Sequence, residues 1–241
     1  FGLITVSLFF KKQLTRPTIP LIKDHLLRNL FHIIGQLGWI IGIVYLGLAE
    51  ATSIEFSVPI WVLLIATLFL KEKLTYKKGL SIFLGFVGVI LILNPAYSTI
   101  NHYHIIVLSS AFAYAITHTL TKKLTSNYSP IDIVFMMCLI QTPIALIISL
   151  PQFVLPSITN LFFLLIIGIS AVTAHFTMAK AMESQDVSSI IAIDYLRLPV
   201  LLTIGIFIYD EKFTPIYLIG GGLILLGNWF NNRKDVKSEK N

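Results

Sequence analysis

The chain has 241 residues, of which 56% are hydrophobic and only 12% charged, with a formal net charge of +6. Soluble domains carry about 25% charged residues, and a soluble fold of this length needs more polar surface than this chain contains. That balance excludes a soluble enzyme and an ordinary nucleic-acid-binding domain, and it specifies an integral protein of a lipid bilayer.

The apolar run Phe1–Phe10 ends at Lys11-Lys12. A signal peptide would place its positive charges before the apolar stretch, so this run reads as the tail of a membrane helix whose beginning is missing. A membrane helix needs about 20 apolar residues, fewer where it is broken or the bilayer thins. Eight further stretches qualify: Leu26–Leu48, Ile54–Leu70, Gly79–Leu93, His104–Leu120, Ile131–Leu150, Leu161–Ala181, Ser188–Tyr209 and Pro215–Phe230. Pro, Asn and charged residues punctuate the short connections, none of which can hold a soluble domain. The expected fold is all-α, a polytopic helical membrane bundle.

Short loops rich in Lys and Arg stay in the cytoplasm. Alternate connections hold Lys11, Lys12, Arg16, Lys23 and Arg28; then Lys71, Lys73, Lys77 and Lys78; then Lys122 and Lys123; then Lys180; and the tail adds Arg233, Lys234, Lys237 and Lys240. Lys212 falls on the other side and Arg197 within a span. The C-terminus is therefore expected in the cytoplasm.

A shift of 139 residues superposes Glu55 on Asp194, Glu72-Lys73 on Glu211-Lys212 and Gly88 on Gly227, with Pro59 and Pro199 one position apart. Glu72 exits on the cytoplasmic side and Glu211 on the opposite one, so the two copies are inverted, a construction common in secondary transporters. The runs Pro59-Ile-Trp-Val…Phe-Leu-Lys-Glu72 with Gly79, Gly85 and Gly88, and Asp194-Tyr-Leu-Arg-Leu-Pro199…Tyr-Asp-Glu211 with Gly220 and Gly227, resemble the signature of the EamA family of the drug/metabolite transporter superfamily. The resemblance implies ten helices in two inverted five-helix repeats, of which this chain lacks the first helix and most of the second. Residues 1–95 would be the remainder of the first repeat, 96–231 the second, and 232–241 a cytoplasmic tail. The region around Tyr195-Leu-Arg resembles bacterial permeases that include S-adenosylmethionine uptake carriers.

Ionisable groups inside a membrane cost about 2.5–3.5 kcal/mol each on insertion scales. Arg197 lies near the middle of its span, with Asp194 one turn earlier on the same face; both are expected to bind the charged ends of a substrate. The competing reading is a self-neutralising ion pair that fixes packing. Glu55 is a candidate for proton coupling, as is Asp194, although Glu55 can equally be solvated beside Glu50. Glu72 and Glu211 read as interfacial structural residues. Gln36, Trp39, Trp61, His118, Gln141, His175 and Tyr195 complete the candidate substrate-binding set, the aromatics by stacking on a planar or cationic group, with helix packing as the alternative for each. Gly38 and Gly42, with Gly35, Gly85, Gly88 and Gly220–Gly222, are assigned to close helix packing.

Cys138 is the single cysteine, so no internal disulfide and no Cys-based zinc site is available. His102 and His104 lack a third metal ligand, and no cofactor is expected. Ser170 and His175 superficially suggest an intramembrane hydrolase, but residues five apart point about 140° away from each other around a helix, and a Ser–His pair must be in hydrogen-bond reach.

The resulting expectation is a non-enzymatic inner-membrane permease of a bacterium, working by alternating access. Its partners are a small polar or zwitterionic metabolite and a coupling proton or ion, with homodimerisation left open and no nucleic acid involved. S-adenosylmethionine uptake is the narrower expectation. Export of amino acids or toxic compounds, and a truncated membrane protein that transports nothing, are the alternatives.

Overall fold

The computed structural model describes residues 2–9, 14–46, 48–93, 101–200, 203, 207 and 215–232. Their regular structure is helical throughout: α1 (Gly2–Phe9), α2 (Ile19–Leu46), α3 (Leu48–Glu55), α4 (Val58–Phe69), α5 (Tyr76–Leu93), α6 (His102–Leu124), α7 (Pro130–Ser149), α8 (Ile158–Met182), α9 (Val187–Ile193) and α10 (Ile216–Asn232). Short 3₁₀ turns follow α7 and α9 at Leu150–Gln152 and Asp194–Leu196. Among the described residues four helices, α2, α6, α7 and α8, are long and apolar enough to cross a membrane. The expectations for Glu211, Lys212 and the tail beyond residue 232 lie outside the described residues.

Two expected spans are interrupted, and a proline explains each break. Over Ile54–Leu70, α3 ends at Glu55, Phe56-Ser57 form a turn, and α4 starts at Val58 with Pro59 in its first turn. Pro59 has no N–H to give the Glu55 carbonyl, four residues back, so the α-helix cannot run through. Over Ser188–Tyr209, α9 gives way to the 3₁₀ turn Asp194–Leu196, and the chain is helical again at residues 197–200. Pro199 withholds the bond that the Tyr195 carbonyl would accept, and the backbone tightens there instead, with Arg197 N–H donating to the Asp194 and Tyr195 carbonyls.

The chain divides into two compact units, each assembled from two segments: residues 1–34 with 116–185, and residues 35–115 with 186–241. In the first unit, Val6 of α1, Ile131, Val134, Met137 and Cys138 of α7 and Val172 of α8 form the core. Ser129 caps α7 by accepting the Asp132 N–H, and Asp132 in turn accepts the Thr15 N–H at 2.8 Å and its hydroxyl at 3.0 Å, tying residues 14–18 to α7.

In the second unit, Phe56, Val89, Tyr195, Leu198 and Ile224 form the core. Here α5 and α10 pack along their length, their backbones held close by glycine. A Cβ on Gly88 would lie 2.5 Å from the Gly220 carbonyl oxygen, and one on Gly227 2.8 Å from that of Ser81. Likewise α2 meets α6 through Gly42, where a Cβ would lie 2.2 Å from Val107 Cγ2. The packing assignment fails at Gly221 and Gly222: a Cβ there meets nothing within 4 Å. Gly88→Leu should therefore lower stability by about 1–3 kcal/mol, whereas Gly79→Ala, where a Cβ meets nothing within 4 Å, should leave the thermal midpoint of the purified protein unchanged. Equal midpoints for both variants would refute the close α5–α10 contact.

Candidate functional site

The breaks in the second unit place three of the candidate residues together. The Arg197 guanidinium lies 3.5 Å from the Glu55 carboxylate at the end of α3 and 3.4 Å from that of Asp194. It also sits over the Phe56 ring, 5.1 Å from its centroid. Glu55 is the enclosed member, its side chain 16% exposed, while those of Arg197 and Asp194 are 41% and 42% exposed. One cation thus stands between two carboxylates, each from an interrupted helix. Irregular backbone in a membrane is tolerated where it is packed in protein or lines a cavity, and broken helices mark binding sites in transporters.

Tyr195, between the two charged residues in sequence, faces the other way. Its ring is fully buried against Phe56 and over Gly85, where a Cβ would lie 2.3 Å from the ring. The Tyr195 hydroxyl, Ser57 Oγ and Trp61 Nε1 are buried and find no hydrogen-bond partner among the described residues. Trp61 meets Phe112 edge to face at 5.4 Å. Trp39 is half-buried on α2 and Gln36 is exposed on the same helix.

Glu72 has a definite task in this unit. Lys71 turns α4 off with a left-handed φ of 56°, and the Glu72 carboxylate then accepts the N–H groups of Val187 at 2.7 Å and Ser188 at 3.4 Å, plus the Ser188 hydroxyl. Lys78 bridges it to Asp186, at 3.5 and 2.6 Å. A carboxylate suits the positive end of a helix, so Glu72 fixes the start of α9 and with it the segment that carries Asp194 and Arg197.

His118, Gln141 and His175 belong to the first unit, where they surround a residue that the charge pattern concealed. Arg28 was counted above among loop charges; the structure corrects this, placing it within α2 with 3% of its surface exposed. Its Nε donates to Thr121 Oγ1 at 3.1 Å and its Nη1 to Asn29 Oδ1 at 3.0 Å. Gln141 donates to the same Asn29 oxygen at 2.8 Å. The His32 and His175 rings meet edge to face at 5.0 Å, and His32, His118 and His175 all lie within electrostatic reach of Arg28. The available signal was positional: Arg28 falls inside the apolar stretch Leu26–Leu48, not before it.

The EamA-like transporter family model matches residues 1–94 and 102–233. The chain belongs to the EamA-like transporter family. It is a multi-pass membrane protein of the transporter class, and its helical fold is that of the family. Among its relatives, the S-adenosylmethionine uptake transporter of Rickettsia bellii is 24% identical over 224 residues, covering 93% of this chain and 76% of that protein. The riboflavin transporter of Vibrio cholerae is 26% identical, covering 90% and 73%. An uncharacterized transporter of Archaeoglobus fulgidus is 30% identical, covering 80% and 71%. A solved crystal structure superposes with a TM-score of 0.69 at 15% identity, covering 95% of this chain and 96% of that one, and so shares the fold.

Proposed function

We propose that this EamA-family protein is a secondary transporter that takes up a small metabolite across the bacterial inner membrane by alternating access, with its C-terminus in the cytoplasm. The observation that carries this reading is the Glu55–Arg197–Asp194 group at two helix breaks. One guanidinium stands between two carboxyl groups, an arrangement that favours the cationic end of a solute or a coupling proton. Asp194, the more exposed carboxylate, meets the solute; Glu55, the enclosed one, carries the coupling proton. The unsatisfied Ser57 and Trp61 donors are groups that a polar solute satisfies, and Trp61 is the ring proposed to stack on a cation or planar group. Gln36 and Trp39 on α2 stay with this set, and His118, Gln141 and His175 with the first unit.

S-adenosylmethionine, whose sulfonium and ammonium groups are cationic, suits this charge, and relatives named for its uptake support the assignment. Relatives named for riboflavin supply the competing solute, a planar ring that stacks without needing the carboxylates. Uptake of each labelled compound into bacterial cells expressing the protein separates them. We expect saturable S-adenosylmethionine uptake, reduced about tenfold or more by Asp194→Asn, equivalent to about 1.4 kcal/mol of lost transition-state or binding energy. Riboflavin uptake indifferent to Asp194→Asn would transfer the assignment to the flavin. Absence of both, with the protein shown to be in the membrane, would refute the two solutes.

A further inference from the structure

Charge in the first unit does not balance locally. Its three carboxylate residues are Asp24, Asp132 and Glu183, and each is engaged elsewhere. Asp24 accepts the Tyr128 hydroxyl, Asp132 holds Thr15 and Ser129, and Glu183 pairs with Lys180 at 2.5 Å. Arg28, buried in a membrane helix, meets none of them in ion-pair contact among the described residues. A buried cation without a counter-ion is strongly unfavourable, and a protein gains nothing in stability from keeping one. Its hydrogen-bond partners, Thr121 and Asn29, are neutral groups that orient the guanidinium without cancelling its charge, and Gln141 donates to the same Asn29 oxygen.

We infer that Arg28 is the anchor of an oxyanion-binding subsite in the first unit, taking the carboxylate, sulfate or phosphate group of a water-soluble solute. Thr121 and Asn29 occupy Nε and Nη1 and so hold the planar fork in place, leaving Nη2 and the second Nη1 hydrogen for a two-oxygen anion. His32, His118 and His175 belong to the same unit, the rings of His32 and His175 meeting edge to face at 5.0 Å. This subsite is built from first-unit residues alone, and its preference is opposite to that of the carboxylate-rich group described in the second unit. It does not rest on which solute is transported, or on whether any is.

The test is anion-dependent thermal stability of the purified protein in phosphatidylcholine nanodiscs, titrated with sodium sulfate against sodium chloride at equal ionic strength. Wild-type protein should show a saturable rise in midpoint of about 2–4 °C in sulfate. Arg28→Gln should lose this rise, and the exposed neighbour Lys23→Gln should keep it, which subtracts any general salting effect. Arg28→Lys, which keeps the charge but not the fork, should need about tenfold more sulfate. In chloride alone, Arg28→Met should unfold at or above the wild-type midpoint, because it removes an uncompensated charge. A sulfate rise that survives in Arg28→Gln, or no rise in wild type, overturns the subsite. So does an Arg28→Met midpoint several degrees below wild type with the sulfate rise intact, which marks Arg28 as structural. Arg28-dependent stabilisation seen with phosphatidylglycerol in the disc but not with sulfate would assign the anion to a lipid headgroup and overturn the soluble-solute assignment.

Discussion

Replacing Arg197 with methionine should leave the protein in the membrane at near-normal amounts and reduce solute uptake by about tenfold or more. The side chain is 41% exposed and its contacts are 3.4 and 3.5 Å, so its pairing contributes little to folding after solvent screening. Its effect on the site is larger. Without the guanidinium, Glu55 and Asp194 face the same space with like charge, and one of them must take up a proton to relieve the repulsion. In the proposed mechanism the group's charge would then no longer change in step with solute and proton. Adding Asp194→Asn to Arg197→Met removes the repulsion, so the double variant should lose less than the two single losses combined. Strictly additive losses would show that Arg197 and Asp194 act independently, and unchanged uptake in Arg197→Met would remove the trio from the transport path.

The second large effect concerns folding. Glu72→Ala should destabilise the protein by about 2–4 kcal/mol, a fall of roughly 5–15 °C in midpoint. Its side chain is 5% exposed, and truncation strands two backbone N–H groups, the Ser188 hydroxyl and one partner of Lys78. Glu72→Gln, which keeps an acceptor oxygen and loses the charge, should fall between the two. Because Glu72 works by holding α9, uptake per folded molecule should fall less than the amount of folded protein. A Glu72→Ala protein as stable as wild type would show that the start of α9 is held by other contacts.

Particular residues show how far the sequence could be read. The apolar stretches announced a helical membrane protein because only the helix satisfies its own backbone in lipid. Pro59 and Pro199 were legible as near-matching positions of the repeat, but where each helix opens depends on which carbonyl loses its donor, that of Glu55 in one and that of Tyr195 in the other. Glu72 read as interfacial because it sits beside lysines at a helix exit; its partners, Val187 and Ser188, are more than a hundred residues away and invisible to local pattern. Tyr195 shares a turn with Asp194 and Arg197, yet the tight 3₁₀ geometry sends its ring into the core. Arg28 was lost to the convention that positive charge near a span end belongs to the loop. Hydropathy averages over a window and cannot distinguish a charge that reaches water from one buried against Thr121 and Asn29.

The helix α8 differs from its neighbours in having nearly all of its apolar residues exposed, from Ile158 through Phe162 and Phe163 to Ile169. Among the described residues, that face meets few shaped protein partners. Leu, Ile, Phe and Val are nearly interchangeable where only hydropathy is asked of a position, so the outward positions of α8 should accept swaps among the four at little cost, while Val172, which its inner face sets against α7, is held to a particular shape.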